Sequence, residues 1–249
     1  MERLSVASSS ILLLDYDGTL APFQTDRYHA YPYPGVIPLL ESIRNCARSR
    51  IVVITGRPIV EMKPLLDPLC NLEIWGSHGM EHLSTDGSYT QITNSPEISE
   101  CLSKAEAWLA AAGLAERTEI KPGGIAVHWR GVPDTKMENI RTHVQRGLGP
   151  IADYPGLKLL EFEGGLELRI SHPNKGDAVA SLLSEAHHKS SIAYLGDDLT
   201  DEDAFRVLNS RGLSVLVRSE YRKTNAKIWL RPPEELVVFL EQWLKNVST

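Results

Sequence analysis

No apolar run in this 249-residue sequence approaches the ~18–20 residues that span a bilayer. Cysteine is scarce: Cys46, Cys70 and Cys101 are odd in number and lack C-x-x-C spacing. That argues against a disulfide framework or a structural zinc site and for a reducing compartment. Basic charge is not in excess, since 26 Lys+Arg face 32 Asp+Glu for a formal charge of −6. Nucleic acid and anionic membranes are therefore not expected as main partners, although local basic residues remain able to bind a small anion. The opening stretch, residues 1–14, has an Arg and a short apolar segment, but Asp15 and Asp17 interrupt it, which argues against a signal peptide. There is no internal repeat and no low-complexity segment. What remains is ordinary globular composition, 42% hydrophobic and 23% charged, enough for ~1–2 domains with a real core. A soluble, cytoplasmic monomer is expected.

Three short runs are apolar at every position: Ile11 to Leu14, Ile51 to Ile54, and Ile192 to Leu195. Such runs read as strands buried on both faces, as in a parallel sheet. Val36, Leu39, Leu40, Ile43 and Ala47 recur at helix spacing between the first two, after the punctuation of Pro34 and Gly35. Glu202 to Leu208 reads as a helix, Leu213 to Val217 as a strand, and Pro233 to Leu244 as a closing helix. Strand, helix, strand in this order predicts an α/β, doubly wound, mostly parallel sheet.

The middle differs. Pro96 to Ala112 is amphipathic, with Ile98, Leu102, Ala105 and Leu109 on one face. Gly124 to Arg130 alternates, as does Leu166 to Ile170, which pairs with Leu157 to Phe162 around Glu163-Gly164-Gly165. Thr135 to Leu148 reads as helical. Half-polar alternation predicts a sheet covered on one side, with Arg130 and Glu167 on the exposed face. Residues 83–170 thus read as an α+β module inserted into a core formed by residues 1–82 and 171–249.

All three buried runs end in polar clusters. Ligands of open parallel sheets bind outside the carboxyl ends of the strands, so Asp15, Thr55 and Asp197 are expected to converge. Asp15 and Asp17 place two carboxylates two residues apart, one suited to nucleophilic attack and the other to acid/base work. Asp197, Asp198 and Asp201 add negative charge that calls for a hard cation, Mg2+ being the usual choice when it is shared with phosphate. Thr55-Gly56-Arg57 offers a hydroxyl and a closely approachable backbone for a phosphate oxygen. Lys175 stands just before a predicted helix at 178–186. Taken alone, the first pair also reads as an acidic turn with helix caps, and Lys175 as a solvated surface residue.

Asp15-Tyr16-Asp17-Gly18-Thr19-Leu20, Thr55-Gly56-Arg57, Lys175 and Gly196-Asp197-Asp198-Leu199-Thr200-Asp201-Glu202-Asp203 stand in the order of the four motifs of haloacid-dehalogenase-type phosphatases. Ser77-His78-Gly79-Met80-Glu81, Lys121 with His128-Trp129-Arg130, and Glu167-Leu168-Arg169 extend the resemblance to the trehalose-6-phosphate phosphatases. The resemblance implies a Rossmann-like core with Asp15 as nucleophile and Asp17 as acid and then base. It implies Mg2+ held by Asp15, the Asp17 carbonyl and Asp197, with Asp198 a further candidate. Thr55 and Lys175 would bind the phosphoryl group, aided by Gly56 and Arg57, and Asp201 would orient Lys175 or a metal-bound water. His78, Glu81, Lys121, Arg130 and Glu167 would bind the sugar, the last three from a cap that closes over the site. His128 reads instead as a structural strand histidine.

Ser171-His172-Pro173 stands where those enzymes often have Pro directly after the Glu-x-Arg strand, and the aromatic segment 24–33 also departs from their pattern. These departures bear on the sugar rather than the catalytic residues. Sucrose phosphate, glucosylglycerol phosphate and mannosylglycerate phosphate are the alternative substrates. A sugar phosphomutase and a non-catalytic sugar-phosphate sensor are the alternative activities.

Overall fold

The structure is a computed structural model that describes residues 9–24, 26–162 and 164–248. Residues 1–8, over which the start was read as no signal peptide, lie outside the described residues, as do Thr25 of the aromatic segment and Glu163 of the expected hairpin. The chain divides into two compact units, residues 1–90 with 174–249, and residues 91–173.

The first unit begins with β1 (Ser10–Leu14), α1 (Val36–Arg44), β2 (Ser49–Ile54), α2 (Ile59–Leu65), β3 (Glu73–Gly76), β4 (Glu81–Leu83) and β5 (Tyr89–Gln91). After the insertion it resumes with α5 (Lys175–Glu185), β10 (Ser191–Gly196), α6 (Glu202–Leu208), β11 (Leu213–Val217), β12 (Ile228–Leu230) and α7 (Glu234–Val247). The sheet order is β12-β11-β10-β1-β2-β3-β4-β5. It is parallel from β12 to β3, and β4 turns antiparallel.

The continuous apolar runs are explained by their parity. Leu12, Leu14, Ile51, Val53, Ala193, Leu195, Val215 and Val217 pack with α1, α2 and α7 in one cluster. Ile11, Leu13, Val52, Ile54, Ile192 and Tyr194 pack with α5 and α6 in another. Helices therefore cover both faces, the doubly wound arrangement expected from the sequence. The helix expected to reach Ala47 ends at Arg44: Cys46 N donates to Ile43 O, and Ser49 N to Cys46 O, which turns the chain into β2.

The second unit holds α3 (Pro96–Ala111), β6 (Thr118–Lys121), β7 (Gly124–His128), α4 (Asp134–Ala152), β8 (Leu157–Phe162) and β9 (Gly165–Ile170). Its antiparallel sheet runs β6-β7-β9-β8. Ile125, Val127, Leu166 and Leu168 are buried on one parity, as are Ala105 and Leu109 of α3 and Val144 and Leu148 of α4. Two expectations need correction. The strand β7 ends at His128, so Arg130 lies in the turn after it, where Val132 N donates to Trp129 O. The polar parity is not exposed either: Glu167 is 3% and Arg169 2% accessible.

Gly147 of α4 faces the indole of Trp108, and a Cβ at this position would stand 2.0 Å from the ring. Intrinsic helix propensity alone favours Ala here by roughly 1 kcal/mol. A contact that short against a bulky ring outweighs it. Gly147→Ala is expected to destabilise the protein by about 1–3 kcal/mol, measured as a lowered urea midpoint. An unchanged or raised midpoint would show that Trp108 yields freely.

Candidate active site

Asp15 follows directly on β1, Thr55 on β2 and Asp197 on β10. Parallel pairing of β1 with both β2 and β10 brings these strand ends side by side. Carboxylate oxygens of Asp15, Asp197 and Asp201 all lie within 4.8 Å of one another, and all three residues are buried. The expected convergence is present.

Lys175 is the first residue of α5, whose N-terminus is closed by a capping box between Asn174 and Asp177. A cation at this end of a helix opposes the helix dipole, and here carboxylates compensate it. The Lys175 ammonium donates to Asp15 at 2.6 Å and to Asp201 at 2.7 Å, and the side chain is 2% exposed. The solvated surface reading of Lys175 is thereby excluded. Burial alone would lower its pKa, but Asp15 and Asp201 outweigh burial and raise it.

Asp201 is fully engaged. One oxygen accepts from Lys175 and from the Tyr194 hydroxyl at 2.6 Å. The other accepts from the backbone N–H groups of Asp197 and Asp198 at 3.0 and 2.9 Å. It therefore shapes the loop and holds Lys175, rather than offering oxygens to a cation.

Asp197 differs, because its Oδ2 is buried without a hydrogen-bond partner among the described residues. Gly18 sits against this carboxylate at φ +78°, and a Cβ there would come within 2.2 Å of Oδ2. A side chain at residue 18 would thus meet both backbone strain and a clash. Burial, then repulsion from Asp15, Asp201 and Asp198, pushes Asp197 well above the usual carboxylate range. Burial pushes Asp15 up to about 7 against the opposing pull of Lys175, with Asp201 and Asp17 adding to the rise. An orphaned carboxylate oxygen beside a second buried carboxylate fits a hard divalent cation, which reverses this local pKa logic. Asp198 caps the following turn by accepting from Leu199 N at 2.7 Å.

Arg57 departs from the phosphate-binding expectation. Its Nε and Nη2 donate to the two oxygens of Asp17 at 2.6 and 2.5 Å, and its Nη1 donates to Arg27 O at 2.6 Å. Its backbone N–H donates to the Thr55 hydroxyl oxygen at 3.1 Å. The Gly56 backbone is pressed against the His78 ring, which lies 2.7 Å from where a Cβ would be. Glu81 accepts from the Ser77 and Tyr89 hydroxyls and from Ile59 N, so its carboxylate ties the start of α2 to β4.

In the second unit, Lys121 Nζ lies 3.0 Å from Glu167 and 3.7 Å from Glu119, and His128 lies 2.7 Å from Glu119. Arg169 keeps all three guanidinium nitrogens buried without a hydrogen-bond partner among the described residues. Arg130 packs over Gly164, where a Cβ would meet its Cγ at 2.5 Å. The sequence reading missed Glu119, although its period-2 spacing from Lys121 places both on one face of β6. It also missed Arg222, which donates to the carbonyls of Asp197 at 3.2 Å and Asp198 at 2.6 Å. No spacing signal links a loop arginine to an acidic cluster some 25 residues earlier.

The trehalose-phosphatase family model matches residues 13–233. The chain is 31% identical over 262 residues to probable trehalose-phosphate phosphatase H of Arabidopsis thaliana, covering 96% of this chain and 73% of that protein. It is 30% identical over 252 residues to trehalose-phosphate phosphatase B of the same plant, covering 93% and 65%. The Candida albicans trehalose-6-phosphate phosphatase C-terminal domain superposes with a TM-score of 0.83 at 20% identity, covering 98% of this chain and 94% of that one. A haloacid dehalogenase-like hydrolase from B. subtilis shares the fold at a TM-score of 0.63.

Asp15 and Asp197 keep their protons to higher pH in the folded chain than in the unfolded one, where aspartates titrate near 4. The unfolded state therefore binds fewer protons in that interval, and metal-free stability falls as pH rises. Urea midpoints of chelator-treated protein at about pH 5 and about pH 7.5 test this. Wild type should lose more stability across the interval than Asp197→Asn, and added Mg2+ should restore more at the higher pH. Equal losses in both proteins would contradict it.

Proposed function

The chain belongs to the trehalose-phosphatase family of haloacid-dehalogenase-type phosphatases, and from that premise we propose that it hydrolyses trehalose 6-phosphate to trehalose and phosphate through an aspartyl-phosphate intermediate. The observation that carries the reading is Asp15, buried at a strand end, paired with the Lys175 ammonium and clustered with the Asp197 carboxylate.

A carboxylate attacking a phosphate monoester meets charge repulsion, so the site must supply positive charge in a dry setting. Lys175 supplies one such charge, and Thr55, 1% exposed, stands at the adjacent strand end. Asp15 and Asp197, with the Asp17 carbonyl, would hold Mg2+, whose charge offsets that of the phosphoryl oxygens when bound.

Asp15 attacks phosphorus as the bond from phosphorus to the sugar oxygen breaks. That oxygen takes the proton of the Asp17 carboxyl and leaves as a hydroxyl. The Asp17 carboxylate then takes a proton from the incoming water, whose oxygen attacks phosphorus. The acyl phosphate bond breaks, which frees orthophosphate and restores Asp15. One acid/base residue thus serves both displacements.

Lys121, Glu167 and Arg130 bind the sugar hydroxyls in this reading, and Glu119 joins them. His78 and Glu81 support the phosphate loop and α2 instead. All three cysteines are free, which suits a cytoplasmic enzyme, here taken to be a monomer. Among the described residues no helix is long and apolar enough to cross a membrane.

Phosphate release from a panel of sugar phosphates tests the proposal, with trehalose 6-phosphate expected to give the highest kcat/KM. Asp15→Asn should lower turnover by more than about 10³-fold. Glu167→Gln should raise KM for trehalose 6-phosphate about tenfold, the worth of one hydrogen bond to a charged group, with little change for p-nitrophenyl phosphate. Preference for sucrose phosphate or for a monosaccharide phosphate would move the assignment to another sugar. Phosphoryl groups that end on a sugar hydroxyl, in place of orthophosphate carrying the oxygen of labelled water, would point to a phosphotransferase.

A further inference from the structure

We propose that Arg57 is a positioning residue that aims the Asp17 carboxyl at the leaving oxygen, and not a ligand of the phosphate. The inference rests on the phosphatase reading above and deepens it.

The geometry is specific. The Arg57 guanidinium is 7% exposed and meets both oxygens of Asp17 in a two-pronged pair, at 2.6 and 2.5 Å. Such a fork fixes the plane and direction of the carboxyl as well as its distance, which a single bond from Lys cannot do. The remaining terminal nitrogen donates to Arg27 O at 2.6 Å. The Arg57 carbon stands 5.5 Å over the ring of Tyr16, whose hydroxyl donates to Ala30 O at 2.6 Å. Every guanidinium nitrogen therefore has an assigned partner, and the Tyr16 ring lies against one side of the group. Each carboxylate oxygen retains a lone pair beyond the one that Arg57 uses, so the fork leaves Asp17 able to exchange a proton while it remains aimed.

Acid catalysis matters in proportion to how poor the leaving group is. A sugar alkoxide needs its proton as the bond breaks, whereas p-nitrophenolate leaves without one. Base catalysis matters for both substrates, because hydrolysis of the acyl phosphate is common to them. Misaiming Asp17 therefore has a signature that loss of a phosphate ligand does not share.

The experiment compares wild type, Arg57→Met, Arg57→Lys, Asp17→Asn and Glu61→Gln on trehalose 6-phosphate and p-nitrophenyl phosphate. Glu61→Gln removes the ion pair between Glu61 and Arg27, so it loosens the 26–33 segment without touching Asp17. The expected result for Arg57→Met is a kcat on trehalose 6-phosphate lowered about 100-fold, with KM within about threefold of wild type. On p-nitrophenyl phosphate it should release one nitrophenolate per active site in a rapid burst and then turn over slowly, as Asp17→Asn should. Arg57→Lys should recover only part of the loss, and Glu61→Gln should retain kcat within about threefold.

Equal rises in KM on both substrates without a burst would overturn the proposal in favour of phosphate binding. An unchanged or raised kcat would overturn it in favour of a fork that parks Asp17 out of use. A defect in Glu61→Gln as large as that in Arg57→Met would overturn it in favour of a role for the 26–33 segment. Wild-type protein that cleaves p-nitrophenyl phosphate but not trehalose 6-phosphate would sink the substrate reading alone, since Arg57 is then tested on the sugar phosphate that is cleaved.

Discussion

An ammonium buried between two carboxylates is the constraint on which the rest of the site depends. Removing a charge from water costs several kcal/mol unless partners replace the lost hydration. Lys175 meets that requirement through Asp15 and Asp201, in a site where it is 2% exposed. Asp197 stands in the same buried cluster with an oxygen unpartnered among the described residues, which leaves an excess of carboxylate over ammonium. The negative excess gives a divalent ion a reason to bind there. The same positive charge is what an incoming phosphate needs.

Neighbouring residues hold this geometry through hydrogen bonds. Asp201 uses four contacts to fix Lys175, Tyr194 and the backbone of residues 197 and 198. Arg222 holds the carbonyls of those same two residues and pairs with Glu202, which also accepts from Thr224 and Asn225. The acidic loop is thus clamped from its N–H side by one carboxylate and from its C=O side by one guanidinium. Outer partners of this kind orient metal-binding residues.

The parallel core was legible in the sequence because its strands are apolar on both parities, a pattern that two covered faces require. The positions of Asp15, Thr55 and Asp197 followed from strand ends alone. What the sequence withheld were side-chain directions. Arg57 read as a phosphate ligand because it follows Thr55-Gly56, yet its fork turns to Asp17, which is 40 residues away in sequence. Arg130 read as strand because alternation continues past His128, but the chain turns at Trp129. Glu167 read as exposed because half-polar alternation predicts a sheet covered on one side, whereas here it is buried and pairs with Lys121. Alternation reports which residues share a face. It cannot report how deeply a charged face is covered.

The central strand carries its own consequence. β1 hydrogen-bonds β2 on one side and β10 on the other, and Ser9 meets Ser190 across 181 residues of sequence. During synthesis the whole of residues 91–173 leaves the ribosome while β1 still has one bare edge. Strands β6 to β9 of the inserted unit pair with one another, so that sheet is able to mature first. Closure of the main sheet then waits on a distant partner, a slow ordering step for so long a loop. Nascent chains of this protein pass through a stage in which an apolar, unpaired strand edge needs shielding.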